Sequence, residues 1–288
     1  MRTGAVSARE LSREAADRLR QAGVPEPDAS AEVLLSELLG TGRGELVLYE
    51  RPLDEGQRAL YEAWISRRIQ REPVQRILGY AYFRNIKLEL DEHTLIPRPD
   101  TESVAEAALQ AIDARGGSCR VLDIGTGSGA IAISVAQERP RCDAYASDIS
   151  ERAVTLARRN AEAAGAQVHF LQADVGFGLE GLAGSIDVLV SNPPYVRSGD
   201  IRGLAPEVRD WEPHAALDGG PDGLRFYRRI FTEAPFLLVP GADVVVEVGD
   251  DQAEAVLGLG REAGFVPVGV GRDLAGSPRI ALLRWDGV

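Results

Sequence analysis

The stretch Asp123-Ile-Gly125-Thr-Gly127-Ser-Gly129 limits the fold more than any other part of this sequence. A short apolar run at 120–124 precedes it and a helix-forming run at 129–137 follows. Glycines at such a junction let the backbone turn sharply and bring a ligand against the N–H groups of a helix N-terminus. The same alternation continues to the end of the chain. Strands are expected at 144–147, 168–171, 186–191 and 243–248, and helices at 150–164, 224–238 and 251–263. The nearly all-valine run 243–248 reads as a strand buried on both faces. Residues 266–270 and 280–285 read as a terminal antiparallel pair. This pattern predicts an α/β fold, a doubly wound sheet with helices on both sides.

The first 74 residues read differently. Ser7 with Glu10 makes a capping-box pattern ahead of Leu11, Ala15, Leu19 and Ala22, a helical face that ends at Gly23. Asp28 is expected to cap a second helix carrying Val33, Leu34, Leu35, Leu38 and Leu39, stopped by Gly40. Asp54 with Gln57 opens another, with Leu60, Trp64, Ile65 and Ile69 before Pro73. A small helical bundle over 1–74 follows, readable as a stability or dimer module or as a substrate-docking domain. Residues 77–83 and 86–90 around Arg84-Asn85 form a plausible hairpin, so 75–98 reads as a connector and 99–288 as the α/β domain. Within Leu95-Ile-Pro-Arg98-Pro-Asp100-Thr101-Glu102 two prolines stiffen an extended loop, and Asp100 or Thr101 is expected to cap a helix reaching residue 114.

Apolar residues make up 44% of the chain and charged residues 26%, the balance of a water-soluble globular protein. No apolar run approaches the ~18 residues of a membrane span, and residues 1–20 hold no signal-peptide core, so a cytoplasmic protein is expected. Cys119 and Cys142 lack metal-site or CxxC spacing and read as small buried hydrophobes, and His93, His169 and His214 are scattered, so no metal site is expected. The net charge is −12, with no local excess of arginine. Affinity for nucleic acid comes largely from phosphate neutralisation, so this balance opposes direct binding to DNA or RNA.

Asp148 ends the strand after the glycine turn, 23 residues beyond Gly125. A carboxylate there can accept both hydroxyls of a ribose, a group common to nicotinamide and adenosyl cofactors. Read as Gly125-x-Gly127-x-x-Ala130, the loop also fits a dinucleotide fingerprint. Asp123 directly before the glycines favours S-adenosylmethionine, whose sulfonium and ammonium groups a carboxylate complements. Asp174, after the third strand, is placed to meet the adenine edge or to stay a solvated loop carboxylate.

The strand at 186–191 delivers Asn192-Pro193-Pro194-Tyr195 at its C-terminal end, where ligands of such sheets bind. A planar NH₂ has a delocalised lone pair and attacks a methyl group poorly, so a site must hold it with acceptors and aim it. The Asn192 side-chain oxygen and the Pro193 carbonyl supply two acceptors, prolines fix φ near ~−65° without competing donors, and Tyr195 can pack on the flat group. Near-attack positioning then supplies much of the rate. No strong base is needed, because the nitrogen turns acidic once methylated.

These residues resemble the class I methyltransferases of planar nitrogens, and more narrowly the peptide chain release factor glutamine methyltransferases, the PrmC/HemK family. The likeness runs through Arg51-Pro52-Leu53, Arg71-Glu-Pro-Val-Gln75, Leu78-Gly79, Leu95 to Glu102, Gly125 to Ala132, Asn192 to Tyr195, Glu212-Pro213, Ala216 to Gly220 with Gly223-Leu224, and Asp273 to Gly276. The resemblance implies a class I methyltransferase sheet with an antiparallel terminal pair, joined by a hairpin to a helical domain that docks substrate. It implies that Gly125, Thr126, Gly127, Ser128, Gly129, Asp148 and Asn192 contact S-adenosylmethionine and that Asn192 to Tyr195 hold the glutamine. A cytoplasmic monomer acting on release factors is expected. Arg98 would line the substrate side, or form an ion pair with Glu102 or Asp100. Where an aromatic residue often covers the adenine the chain has Val175, with Phe177 as a substitute.

Four other readings compete. An adenine N6-methyltransferase also uses Asn-Pro-Pro-Tyr, but flipping a base requires phosphate contacts that this acidic chain does not advertise. The others are a ribosomal-protein glutamine methyltransferase, a cofactor-binding module without turnover, and a nicotinamide oxidoreductase.

Overall fold

The computed structural model describes residues 7–49 and 51–287. The chain forms two units, one reaching to Gly79 and including Ala205–Trp211, the other comprising Tyr80–Leu204 and the chain from Glu212 onward.

The first unit is helical: α1 (Ala8–Gln21), α2 (Pro27–Leu39), a 3-10 turn at Arg43–Leu48, α3 (Glu55–Ile69) and α4 (Val74–Leu78). Ser7 and Asp54 both close the expected capping boxes, accepting the N–H of Glu10 and Gln57 and so satisfying donors that a helix end leaves open. Asp28 does not cap α2. Pro27 takes the first position with its φ already helical, Glu26 before it is left-handed (φ 48°), and Asp28 pairs with Arg20 at 2.8 Å. The strand expected from residue 77 starts only at Tyr80, because α4 runs to Leu78 and Gly79 ends it at φ 79°. Leu19, Leu34, Leu35, Tyr61 and Ile65 are buried together, and the Tyr61 hydroxyl finds the Ala31 carbonyl at 3.0 Å.

The second unit opens with the hairpin β1 (Tyr80–Phe83) and β2 (Ile86–Glu89), then α5 (Pro99–Ala114). Pro99 starts α5 and Arg98 precedes it without a side-chain cap, so Asp100 and Thr101 lie inside the first turn rather than capping it. Next come β3 (Arg120–Ile124), α6 (Ala130–Glu138), β4 (Asp143–Asp148), α7 (Glu151–Ala164), β5 (Val168–Gln172) and β6 (Ile186–Ser191). The short α8 (Pro206–Arg209) falls in the segment that belongs to the helical unit. The last elements are α9 (Arg225–Glu233), β7 (Leu238–Glu247), α10 (Ala253–Glu262), β8 (Phe265–Arg272) and β9 (Pro278–Trp285). The helix expected over 224–238 ends at Glu233: Pro235 has no N–H to continue it, and a 3-10 turn leads straight into β7.

The sheet order is β5-β4-β3-β6-β7-β9-β8, parallel from β5 to β7, with β9 antiparallel between β7 and β8. Along β7 the valines alternate between two cores. Val244 and Val246 pack with Tyr227, Ile230 and Phe231 of α9, and Val245 packs with Val104, Leu109 and Ile112 of α5. Phe83, Ile86 and Leu88 of the hairpin join this second core. The order reverses between β3 and β6, which opens a crevice at their C-terminal ends.

In the helical unit, Arg68 is almost fully buried beside Glu207 (3.0 Å), which also takes both Nε and Nη2 of Arg71 at 2.7 and 2.6 Å. Removing one partner of such a pair leaves an uncompensated buried charge. Glu207→Ala should lower the unfolding free energy by about 3 kcal/mol, as read by denaturant titration. A change within measurement error would mean that Arg68 is solvated without it.

Candidate functional site

β3 and β6 are in register so that Ile124 lies opposite Ser191, and the Ser191 Oγ donates to the Ile124 carbonyl at 2.7 Å. The glycine loop and Asn192-Pro193-Pro194, 63 residues apart from Gly129 to Asn192 in sequence, therefore leave the sheet side by side. One cavity of the second unit is lined by Gly125, Thr126, Gly127, Ser128, Asp148, Asp174, Asn192, Pro193, Pro194 and Arg98. Gly129 and Tyr195 do not line it.

The glycines have separate reasons. Gly125 (φ 75°) and Gly127 (φ 57°) sit in the left-handed region, and a Cβ at either would meet no protein atom. Gly129, also left-handed, serves packing instead: a Cβ there would come within 2.7 Å of Ile133 and 3.1 Å of Ala157. The loop is braced from α7 by buried Asn160. Its Nδ2 donates to the Ser128 carbonyl (2.9 Å) and to the Glu89 carbonyl (3.1 Å), and its Oδ1 accepts the Glu89 N–H (2.8 Å), which ties the hairpin to the glycine turn.

Two carboxylates stand over this loop. Asp123 is 1% exposed; its Oδ2 accepts the Thr126 hydroxyl at 2.7 Å, and its Oδ1 has no partner among the described residues. Burial pushes its carboxyl up to about 7, against the Thr126 hydrogen bond and the Ala132 N–H of α6, which both favour the ionised form. Asp148 accepts the N–H groups of Gly127 and Ser150, both at 2.9 Å, and burial raises its pKa too. Each of its oxygens retains a lone pair for a further donor. Ile149, large and 64% exposed, lines the cavity beside them.

Asp174 lines the cavity, but its Oδ1 is held by Arg229 at 2.6 Å, itself shared with Glu233. Val175 is buried, lines the cavity and adopts φ 55°, whereas Phe177 is 78% exposed and is not in the lining. Arg98 lines the cavity and is paired, though with neither acid expected from sequence. Its Nη2 lies 2.7 Å from Oε1 of buried Glu212, whose Oε2 accepts the Ile96 N–H at 3.0 Å. Glu102 instead accepts the Arg84 N–H, and Asp100 lies 3.4 Å from Arg279. Sequence proximity suggested the wrong partners because Pro99 starts a helix, which turns the following acids away from Arg98.

Behind Asn192 lies a polar chain. Asn192 Nδ2 donates to Thr101 Oγ1 (3.1 Å), which is 2.7 Å from Glu247 Oε2; the Tyr195 hydroxyl is 3.3 Å from Glu247 Oε1. The Tyr195 carbonyl is held by Gln252 Nε2 at 2.9 Å. Glu247 is 1% exposed, and burial pushes its carboxyl up to about 7. Sequence reading missed Glu247, Gln252 and Asn160 as site residues. For Glu247 a signal existed: a carboxylate set between valines, after Val244-Val245-Val246 and before Val248, in a run otherwise read as buried on both faces. Among the described residues no group of three metal-ligating side chains exists, and no helix is long and apolar enough to cross a membrane.

Residues 10–79 match the PrmC N-terminal domain family and residues 101–205 the methyltransferase small domain family. The fold resembles the crystal structure of a methyltransferase from Pyrococcus furiosus (TM-score 0.51, 21% identity, 79% of this chain and 98% of that one). It also resembles the hMettl16 catalytic domain (TM-score 0.57, 15% identity, 75% of this chain and 81% of that one). The sheet is thus the expected class I methyltransferase sheet with its antiparallel terminal pair. Proteins named release factor glutamine methyltransferase are 42% identical in Rhodospirillum rubrum (93% of this chain, 82% of the relative), 40% in Geobacter sulfurreducens (91% and 91%) and 41% in Streptomyces coelicolor (94% and 95%). At such identity over more than four fifths of both chains, this protein belongs to the release factor glutamine methyltransferase family and is an enzyme of that kind.

Proposed function

We propose that the protein transfers a methyl group from S-adenosylmethionine to the side-chain nitrogen (N5) of the glutamine in the Gly-Gly-Gln motif of peptide chain release factors. The observation that carries this reading is the Asn192 amide, anchored through its nitrogen and left with an acceptor oxygen beside a cavity that the glycine loop also lines. The names of the relatives supply the substrate.

The residues fit S-adenosylmethionine. Asp123 offers a cationic ligand a buried oxygen without a hydrogen-bond partner among the described residues, Asp148 keeps lone pairs for ribose hydroxyls, and Gly125 and Gly127 leave open space where a side chain would stand. Ile149 and Val175 supply apolar lining for a flat base, with Asp174 at the same cavity. When bound, the cofactor supplies an electrophilic methyl group on a sulfonium.

The protein's own part is positioning. The Asn192 Oδ1 and the Pro193 carbonyl accept the two N–H groups of the target amide, which holds the nitrogen in place and lets it be aimed. Pro193 and Pro194 keep the backbone carbonyl rigid without donors of their own, while Thr101 anchors the Asn192 side chain. Tyr195, its hydroxyl turned to Glu247, braces the loop from behind. Arg98, fixed by Glu212, stands on the substrate side, and the helical unit docks the release factor. The enzyme acts as a cytoplasmic monomer without direct contact with nucleic acid.

Incubation with S-adenosylmethionine and unmodified release factor, followed by peptide mass spectrometry, should show one added methyl on the Gly-Gly-Gln glutamine. Methyl on ribosomal protein or nucleic acid instead would overturn the assignment. Asn192→Ala should fold normally yet lose at least about 100-fold in kcat, the scale of removing one transition-state hydrogen-bond partner. Wild-type rates in that variant would remove Asn192 from the mechanism.

A cationic ligand binds the ionised form of Asp123, whose carboxyl in the ligand-free protein is raised to about 7. Affinity for S-adenosylmethionine should therefore tighten on the order of tenfold from pH 6 to pH 7.5, measured calorimetrically. In Asp123→Asn binding should be weaker and this slope absent. A flat wild-type profile would separate Asp123 from the ligand's charge.

A further inference from the structure

Resting on the glutamine reading above, we infer that Thr101 and Glu247 are positioning residues that fix which end of the Asn192 amide faces the substrate, so that the site accepts a carboxamide and rejects a carboxylate. An asparagine amide has two ends of nearly equal size and opposite polarity, an acceptor oxygen and a donor NH₂. With the oxygen toward the substrate, the target NH₂ is held. With the NH₂ toward it, two donors face each other and a glutamate carboxylate would be welcomed instead.

The choice is made at the cavity wall and just behind it: Thr101 lines the cavity beside Asn192, and buried Glu247 lies behind Thr101. Thr101 Oγ1 stands between Glu247 Oε2 (2.7 Å) and Asn192 Nδ2 (3.1 Å). A hydroxyl has one proton. Ionised Glu247 can only accept, so it takes that proton and leaves Thr101 with lone pairs alone on its Asn192 side. Only the NH₂ end of Asn192 can satisfy them. The second oxygen of Glu247 accepts the Tyr195 hydroxyl, so one carboxylate orients both ends of the Asn192–Tyr195 loop. Three elements meet to build this chain: the first turn of α5, the end of β7 and the loop after β6.

Protonation reverses the logic. A neutral Glu247 can donate to Thr101, whose proton then turns toward Asn192 and favours the flipped amide. The groups facing Glu247 are the Tyr195 phenol, the Arg279 guanidinium from β9 and the Asp100 carboxylate from α5, while the Tyr227 hydroxyl donates to the Glu247 backbone carbonyl at 2.7 Å. Burial outweighs the Thr101 bond and Arg279 and holds the Glu247 carboxyl at about 7. Activity should accordingly fall on the acid side, as Glu247 takes up its proton.

The test compares wild type, Thr101→Val, Thr101→Ser and Glu247→Gln on a release factor, with the same factor carrying glutamate in place of the target glutamine as competitor. Thr101→Val should lose about 10- to 100-fold in kcat, as for a buried polar group left unpaired, with cofactor affinity kept, and Thr101→Ser should restore it. Discrimination against the glutamate competitor should narrow about tenfold in Thr101→Val. The acid limb of the kcat profile should vanish in Glu247→Gln. Wild-type kcat and discrimination in a folded Thr101→Val would overturn the inference. Should that variant not fold, an unchanged acid limb in Glu247→Gln would do the same. If wild type methylates no glutamine, the reading beneath fails separately. The side-chain NH₂ resonances of Asn192 then decide: a pH-dependent shift lost in Glu247→Gln supports the pair, and one that persists refutes it.

Discussion

The pairing of β3 with β6 is the constraint on which the site depends. These strands lie next to each other although α6, β4, α7 and β5 separate them in the chain. Their shared register ends both at one level, and the Ser191 hydroxyl on the Ile124 carbonyl ties the two exits together inside the sheet. A slip of one residue would turn the buried faces of β6 over and carry Asn192 away from the glycine loop. Valines and leucines packed on both faces make that slip costly. The placement of the chemistry is thus guaranteed by packing that has no chemical part in it.

Within that frame the site gathers buried carboxylates, an arrangement that burial alone disfavours. Asp123 and Glu247 are both 1% exposed and both have raised carboxyl pKa values. A core selected for stability alone would not hold them, and sites that break local rules in this way are where function is expected. The two differ in how they are balanced. Glu247 has Thr101, Tyr195 and nearby Arg279, whereas Asp123 has one oxygen satisfied and one without a partner among the described residues. The first arrangement supports the orienting role inferred for Glu247, and the second the cofactor contact proposed for Asp123.

Much of this was legible in the sequence wherever the determinant is local. Capping boxes at Ser7 and Asp54 span three residues and formed as expected, since they depend on backbone donors one turn away. The valine strand, the glycine turn and the strand leading to Asn192 followed from periodicity and glycine chemistry. Local signals failed where a proline intervened. Pro27 displaced Asp28 as a cap, Pro99 moved Asp100 and Thr101 into the helix, and Pro235 cut α9 short. In each case a fixed φ or a missing N–H outweighed the side-chain signal.

The sequence by itself determined the two kinds of architecture along the chain, the glycine turn between strand and helix, and the proline-stiffened Asn-Pro-Pro-Tyr segment at a strand's end. These properties reside in neighbouring residues, whose backbone preferences act before any tertiary contact forms. Only the tertiary structure decided that Arg98 answers to Glu212, that Asn160 binds the hairpin to the glycine loop, and that Thr101 and Glu247 stand behind Asn192. Each of these partners comes from an element far away in sequence. Hydrogen-bond directions between them exist only once the sheet has set its register, so no periodicity or spacing in the chain could encode them visibly.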